Sequence, residues 1–221
     1  MNDATDAIPT TTETISVAGI TIDLTLPVSA EDLIDEAEFD VDERLPYWAE
    51  LWPSGRVLAD WVATQSLIGA RVLELGAGLA LPSLVAAHGG ARVTATDWYE
   101  PALSFTRENA AAAGVTVSTL MVDWRDPPAA LTRPPGFDLV IAADVLYEPR
   151  NAGPLADLVP RVLAPGGRVV IADPRRPDAR LFLDRMAEQG WDVSTDTVEY
   201  RGRRDETGSR IHLHRLSPPD G

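Results

Sequence analysis

The 221 residues fit one domain, long enough to bury about 70% of its unfolded surface without a covalent or metal staple. The absence of cysteine excludes disulfides and thiolate metal sites; no apolar run approaches the roughly 20 residues of a membrane span, and Met1-Asn2-Asp3-Ala4 lacks the basic start of a signal peptide. A net charge of −15 opposes nucleic-acid binding, whose affinity rests on neutralising phosphates, so the expectation is a soluble, cytoplasmic enzyme with neither nucleic-acid nor membrane partners.

The charge is unevenly placed. Residues 1–50 hold 13 Asp and Glu against Arg44 alone, whereas the remaining 171 hold 21 acids against 18 arginines. The body is therefore nearly neutral, and the acidic segment is either a solubility feature or a recruiting surface for a basic protein. Every basic residue is arginine; the chain has no lysine.

In chain order, residues 1–14 are polar and Thr-rich and are expected to form a disordered tail. Residues 15–52 form an acidic N-terminal extension. Within it Ile15 and Val17, then Ile20, Ile22, Leu24 and Leu26, alternate with polar residues around Ala18-Gly19, which predicts a β-hairpin. Ala30 to Phe39 has helical spacing at Leu33, Ile34 and Ala37. Pro53 opens a helix with Val57, Leu58, Trp61 and Val62 on one face.

From Arg71 the apolar runs at 71–75, 91–96, 115–122, 137–143 and 167–172 read as strands, with helices near 80–89, 100–113, 151–163 and 178–189. That alternation predicts an α/β doubly wound, mostly parallel sheet covered on both faces. The last two strands, about 191–200 and 209–216, are joined by too short a segment for a crossover helix and are expected to form an antiparallel hairpin.

Polar or aromatic residues close four successive strands. Val72-Leu-Glu-Leu-Gly-Ala-Gly78 ends the first in an acid and a glycine turn, and Asp97 closes the next. The glycines let backbone approach a ligand, and the second acid can accept from ribose hydroxyls or cap the following helix. A dinucleotide pyrophosphate would want a third glycine where Leu81 stands. Asp123-Trp124 follows the third strand and Asp144-Val145-Leu146-Tyr147 the fourth; Ala143 precedes Asp144. Trp98 beside Asp97, and Tyr47, Trp48 and Trp52 before Pro53, could wall a pocket or simply pack in the core. His88, His212 and His214 lack ligand spacing, so no metal site is expected.

Together these motifs resemble the seven-strand, Rossmann-like S-adenosylmethionine-dependent methyltransferases. Tyr47-Trp48-Ala49-Glu50-Leu51-Trp52-Pro53-Ser54-Gly55 and Asp144-x-x-Tyr147 are similar to family 16, mostly protein lysine methyltransferases, including those acting on the electron transfer flavoprotein beta subunit. The resemblance spans roughly Leu45 to His214 and makes 53–217 the methyltransferase domain. It implies S-adenosyl-L-methionine as cofactor, with Trp52, Glu74, Gly76, Ala77, Gly78, Asp97, Trp98, Asp123, Trp124 and Ala143 around it. In that scheme Glu74 and the glycine backbone hold the methionine part, Asp97 the ribose, and Asp123-Trp124 the adenine. Asp144 is implied to orient the acceptor amine and Tyr147 to wall its pocket. A lysine amine must first be made neutral, which costs on the order of 4 kcal/mol at pH 7; a low-dielectric pocket lowers that cost, and a carboxylate with a phenol can orient the lone pair along the line to the sulfonium.

The expected protein is thus a monomeric N-methyltransferase acting on an accessible lysine of a protein substrate. A small amine or nicotinamide-like acceptor is the second enzyme reading. A nucleotide-binding dehydrogenase is opposed by Leu81, the terminal hairpin and the lack of lysine, and an inactive binding module by the joint presence of Asp144 and Tyr147.

Overall fold

The computed structural model describes residues 8–33, 45–202 and 208–219. The chain begins with a hairpin, β1 (Thr10–Val17) and β2 (Ile20–Pro27), paired in register from Thr10↔Pro27 to Val17↔Ile20. Ala18 and Gly19 both take positive φ, 47° and 87°, as a two-residue turn matching the strand twist requires. Strand β1 starts at Thr10, so Thr10 to Thr14, expected in the tail, form the first five of its eight residues. Thr10, Thr11 and Thr12 are all exposed, so this stretch lacks the apolar alternation by which a half-buried strand is read. Of the helix expected over 30–39 only a 3-10 turn at Glu31–Leu33 is seen; the rest lies outside the described residues.

Among the described residues five helices follow: α1 (Pro53–Ala63), α2 (Leu81–His88), α3 (Glu100–Ala112), α4 (Pro149–Val162) and α5 (Ala179–Glu188). Between and after them lie β3 (Arg71–Leu75), β4 (Arg92–Asp97), β5 (Val117–Met121), β6 (Phe137–Ala143), β7 (Leu163–Asp173), β8 (Asp192–Tyr200) and β9 (Ser209–Ser217). The seven strands order as β5-β4-β3-β6-β7-β9-β8, with β9 antiparallel to both its neighbours and the rest parallel. Strand β7 begins at Leu163, directly after α4 and four residues before the expected start at 167, with a register irregularity opposite Phe137 to Leu139.

Successive residues of one strand serve opposite faces, as the pleat requires. Val72, Leu139, Ile141, Val170 and Ala172 pack with α1, α2, α3 and the hairpin, while Leu73, Leu75, Val140, Ala142 and Ile171 pack with α4 and α5. The extension is therefore part of the main core: Ile15, Val17, Ile22 and Leu24 share it with Val57 and Leu58. Buried Asn109 on α3 brackets Thr25, its Oδ1 accepting from the Thr25 N–H at 2.7 Å and its Nδ2 donating to the Thr25 carbonyl at 2.9 Å. The chain winds outward through β3, β4 and β5, then resumes on the other side of β3 at β6. The crevice at the carboxyl ends of β3 and β6 is therefore the topological switch point, where open α/β sheets bind ligands. No helix among the described residues is long and apolar enough to cross a membrane.

Candidate active site

A cavity of about 540 Å³ occupies that crevice, in the range of small-molecule sites. Every residue singled out for cofactor or acceptor lines it: Trp52, Glu74, Gly76, Ala77, Gly78, Asp97, Trp98, Asp123, Trp124, Ala143, Asp144 and Tyr147.

At its floor β3 gives way to a turn in which two positions favour glycine. Gly76 has φ +63°, and an added Cβ would lie 2.8 Å from Val145 Cγ1 and 3.3 Å from the Trp124 ring; Gly78 has φ +52°, with its Cβ direction 3.1 Å from the Trp48 carbonyl. Asp97 fastens this turn. It is 6% exposed, and its Oδ2 accepts from the Gly78 N–H at 2.9 Å while Oδ1 accepts from the Tyr99 N–H at 3.0 Å. Burial raises its carboxyl above the usual range despite those bonds. The N-cap of α3 is Tyr99, so Asp97 is not the cap. A carboxylate has about four lone-pair directions, which leaves capacity to accept from a ligand.

Glu74 is 1% exposed, and its Oε2 accepts from the Ser83 N–H at the first turn of α2 at 3.0 Å. Burial first, with a lesser contribution from Asp97, pushes its carboxyl up to about 8. The adenine end is more open. Trp98 is 41% exposed, and the Arg125 guanidinium lies 5.6 Å from its ring centroid, so Trp98 is a rim residue and not core. Asp123 receives the backbone N–H and the side chain of Arg125, at 2.9–3.1 Å, which partly neutralises it.

The other end is built around Asp144, just past β6 with φ +57° and its N–H bonded to the Ala172 carbonyl. Its side chain is 9% exposed, with Oδ2 accepting from Ser54 Oγ at 3.0 Å and Oδ1 from Arg176 Nε at 2.8 Å. The N-cap of α4 is Glu148, so Asp144 does not cap the next helix. The Tyr147 ring stands edge-to-face on Tyr47 at 5.4 Å, Tyr47 on Trp52 at 6.1 Å, and Trp52 Nε1 donates to the Tyr47 carbonyl at 2.8 Å. Trp48 divides from this group: it is 8% exposed and packs on Phe105, 5.6 Å away, as core.

Sequence reasoning passed over Ser54, Arg176 and Asp173. Ser54 sits inside the quoted Tyr47–Gly55 motif, and Asp173 ends β7, so the strand-end criterion applied to the first four strands would have found it had it been extended to the fifth. Asp173 is fully buried, accepts from the Arg176 N–H at 2.7 Å through Oδ1, and has no hydrogen-bond partner at Oδ2. Burial raises its carboxyl to about 6. No cluster of potential metal ligands occurs among the described residues.

The residues suit a cationic, phosphate-free ligand. Six carboxyl groups (Glu50, Glu74, Asp97, Asp123, Asp144 and Glu148) line the cavity against three guanidiniums (Arg125, Arg150 and Arg176), so the acids outnumber the cations even with Glu74 protonated. Such a surplus favours a sulfonium and an ammonium over a pyrophosphate.

Residues 42–189 match the family model described as lysine methyltransferase. The chain is 32% identical over 185 residues to the protein N-terminal and lysine N-methyltransferase of Emericella nidulans, covering 69% of each. It is 33% identical over 185 residues to the protein N-lysine methyltransferase of Danio rerio, covering 78% of each. Among solved structures, the precorrin-6y C5,15-methyltransferase of Geobacter metallireducens superposes with a TM-score of 0.58 at 16% identity, over 74% of this chain and 88% of that one, a likeness of fold alone.

Proposed function

Because the chain belongs to the lysine methyltransferase family, an S-adenosylmethionine-dependent class, we propose that it methylates lysine side chains of a protein substrate and does so as a monomer. The cofactor supplies, when bound, a methyl group activated on a sulfonium. Glu74, the Gly76 to Gly78 turn with Ala77, and Asp97 take its amino-acid and ribose parts. Trp98, Asp123 and Trp124 enclose the adenine, and Trp52 and Ala143 close the space toward the acceptor.

Asp144 and Tyr147 belong to the acceptor. The observation that carries this reading is the meeting of a mostly buried carboxylate, fixed by Ser54, with the Tyr147 and Tyr47 rings at one end of the cavity. A carboxylate aims the amine lone pair, aromatic faces hold the alkylammonium as it enters, and the apolar walls lower the cost of losing its proton. The acidic segment before residue 50 draws in basic substrate surfaces through long-range attraction.

Purified protein incubated with radiolabelled S-adenosylmethionine and a lysate should place label on a protein band, with the methyl group on lysine. Label recovered only in small molecules would move the assignment to a small amine or heterocyclic nitrogen.

A further inference from the structure

The acceptor end of the cavity already contains a cation. Arg176, on the loop after β7, donates from Nε to Asp144 Oδ1 at 2.8 Å, and its guanidinium carbon lies 6.0 Å from the Tyr147 ring centroid. With Ser54 on Oδ2, each oxygen of Asp144 is engaged. An ammonium entering along Tyr147 meets a carboxylate whose charge is already paired with a guanidinium and a ring that is partly covered. These are the two groups through which the site would recognise an alkylammonium.

Resting on the lysine-methylation reading, we propose that Arg176 is a resident stand-in for the acceptor: it fills the substrate ammonium's place at Asp144 and Tyr147, and its side chain withdraws when a lysine enters. A mostly buried carboxylate left without a cation is costly, so a stand-in keeps the empty site stable. The geometry allows the exchange. The Arg176 side chain is 37% exposed, so it has an outlet, while its backbone is tied through its N–H to Asp173 Oδ1 at 2.7 Å and flanked by Pro174 and Pro177. Only the side chain has to move.

Two variants test this, both checked for folding by melting temperature and by affinity for S-adenosylhomocysteine. In calorimetry with that product bound, Arg176→Met should bind n-butylammonium roughly three- to tenfold more tightly than the unaltered protein, the range set by loss of a part-exposed competing ion pair. The apparent KM for a lysine peptide should fall in step. Millimolar guanidinium should compete with the peptide in that variant, because it refills the vacated place.

Arg176→Lys is the sharper test. A lysine nitrogen falls where the guanidinium carbon sits, one bond beyond Nε, and the chain has no lysine of its own. With S-adenosylmethionine present, the amine at position 176 should become methylated. The N–C bond forms as the C–S bond breaks with its electron pair passing to sulfur, and the proton leaves nitrogen for solvent. Mass spectrometry reads the added methyl group at that one position. Butylammonium bound no more tightly by Arg176→Met, or position 176 unmodified in an Arg176→Lys protein that still methylates added peptide, would overturn the stand-in role. Failure of the unaltered protein to methylate any lysine would overturn the underlying reading instead.

Discussion

Replacing Glu74 with glutamine should free the protein from a loss of stability at alkaline pH. Glu74 is 1% exposed, and burial lifts its carboxyl from an ordinary 4.5 to about 8, against the opposing hydrogen bonds from Ser83. A folded-state value above the unfolded one means that the protonated acid stabilises the fold. That contribution is complete below pH 4.5 and is lost as pH rises through about 8. At about 1.36 kcal/mol per pH decade the interval amounts to roughly 4–5 kcal/mol, an upper figure because local relaxation would soften it. The neutral amide keeps an acceptor for the Ser83 N–H but has no proton to lose. By differential scanning fluorimetry without ligand, the melting temperature of the unaltered protein should fall between pH 6 and 9 relative to Glu74→Gln. The separation should reach on the order of 10 °C for a domain of this size. The pair should converge toward pH 5. A bound cation reverses the preference at Glu74, so S-adenosylmethionine should bind the unaltered protein more tightly as pH rises from 6 to 8, with release of up to one proton. That release is measurable by calorimetry in two buffers of different ionisation enthalpy. Parallel melting curves for the two proteins across pH 6–9 would refute the assignment of a buried, mostly protonated Glu74.

Asp144→Asn should leave cofactor affinity within a few fold and cut methyl transfer by roughly 100-fold, because it alters acceptor orientation and not the donor end; equal losses in both would make Asp144 a cofactor ligand. Asp97→Ala removes the hydrogen bond that fastens the glycine turn at Gly78 and a second one from the Tyr99 N–H, so S-adenosylmethionine affinity should drop by about 10- to 150-fold together with a lowered melting temperature; unchanged affinity by calorimetry would limit Asp97 to a structural role. The unaltered protein should bind NAD negligibly in the same experiment. Raising salt from about 50 to 300 mM should reduce turnover at sub-saturating protein substrate while sparing turnover at saturation, since attraction between exposed charges is screened over about 8–10 Å. Neutralising Asp32, Asp35, Glu36 and Glu38 together should raise the apparent KM several-fold, and salt-independent kinetics would leave the acidic segment as a solubility feature.

Much of this molecule is legible in the chain itself, for local reasons. The pleat sends Val72 and Leu73 to opposite faces whatever their neighbours, so unbroken apolar runs separated by helical spacing announce a parallel sheet covered on both sides. Gly76 and Gly78 mark a turn whose positive φ no larger residue enters cheaply. Because parallel strands all end on one edge, Glu74, Asp97, Asp123 and Asp144 could be placed around one cavity before their order in the sheet was known. What stayed hidden depends on which ends become neighbours. Nothing near Asp144 in sequence announces Ser54 or Arg176, 90 and 32 residues away, because those contacts require β6 to lie beside β7 and α1 to cross above them. The fastening of Gly78 by Asp97, the lifted Glu74 carboxyl and the division of Trp48 from Tyr47 and Trp52 are likewise tertiary. Periodicity and backbone sterics act over a few residues, and so a sequence carries them openly; burial, proton affinity and the pairing of distant charges exist only once the sheet order has set what stands next to what.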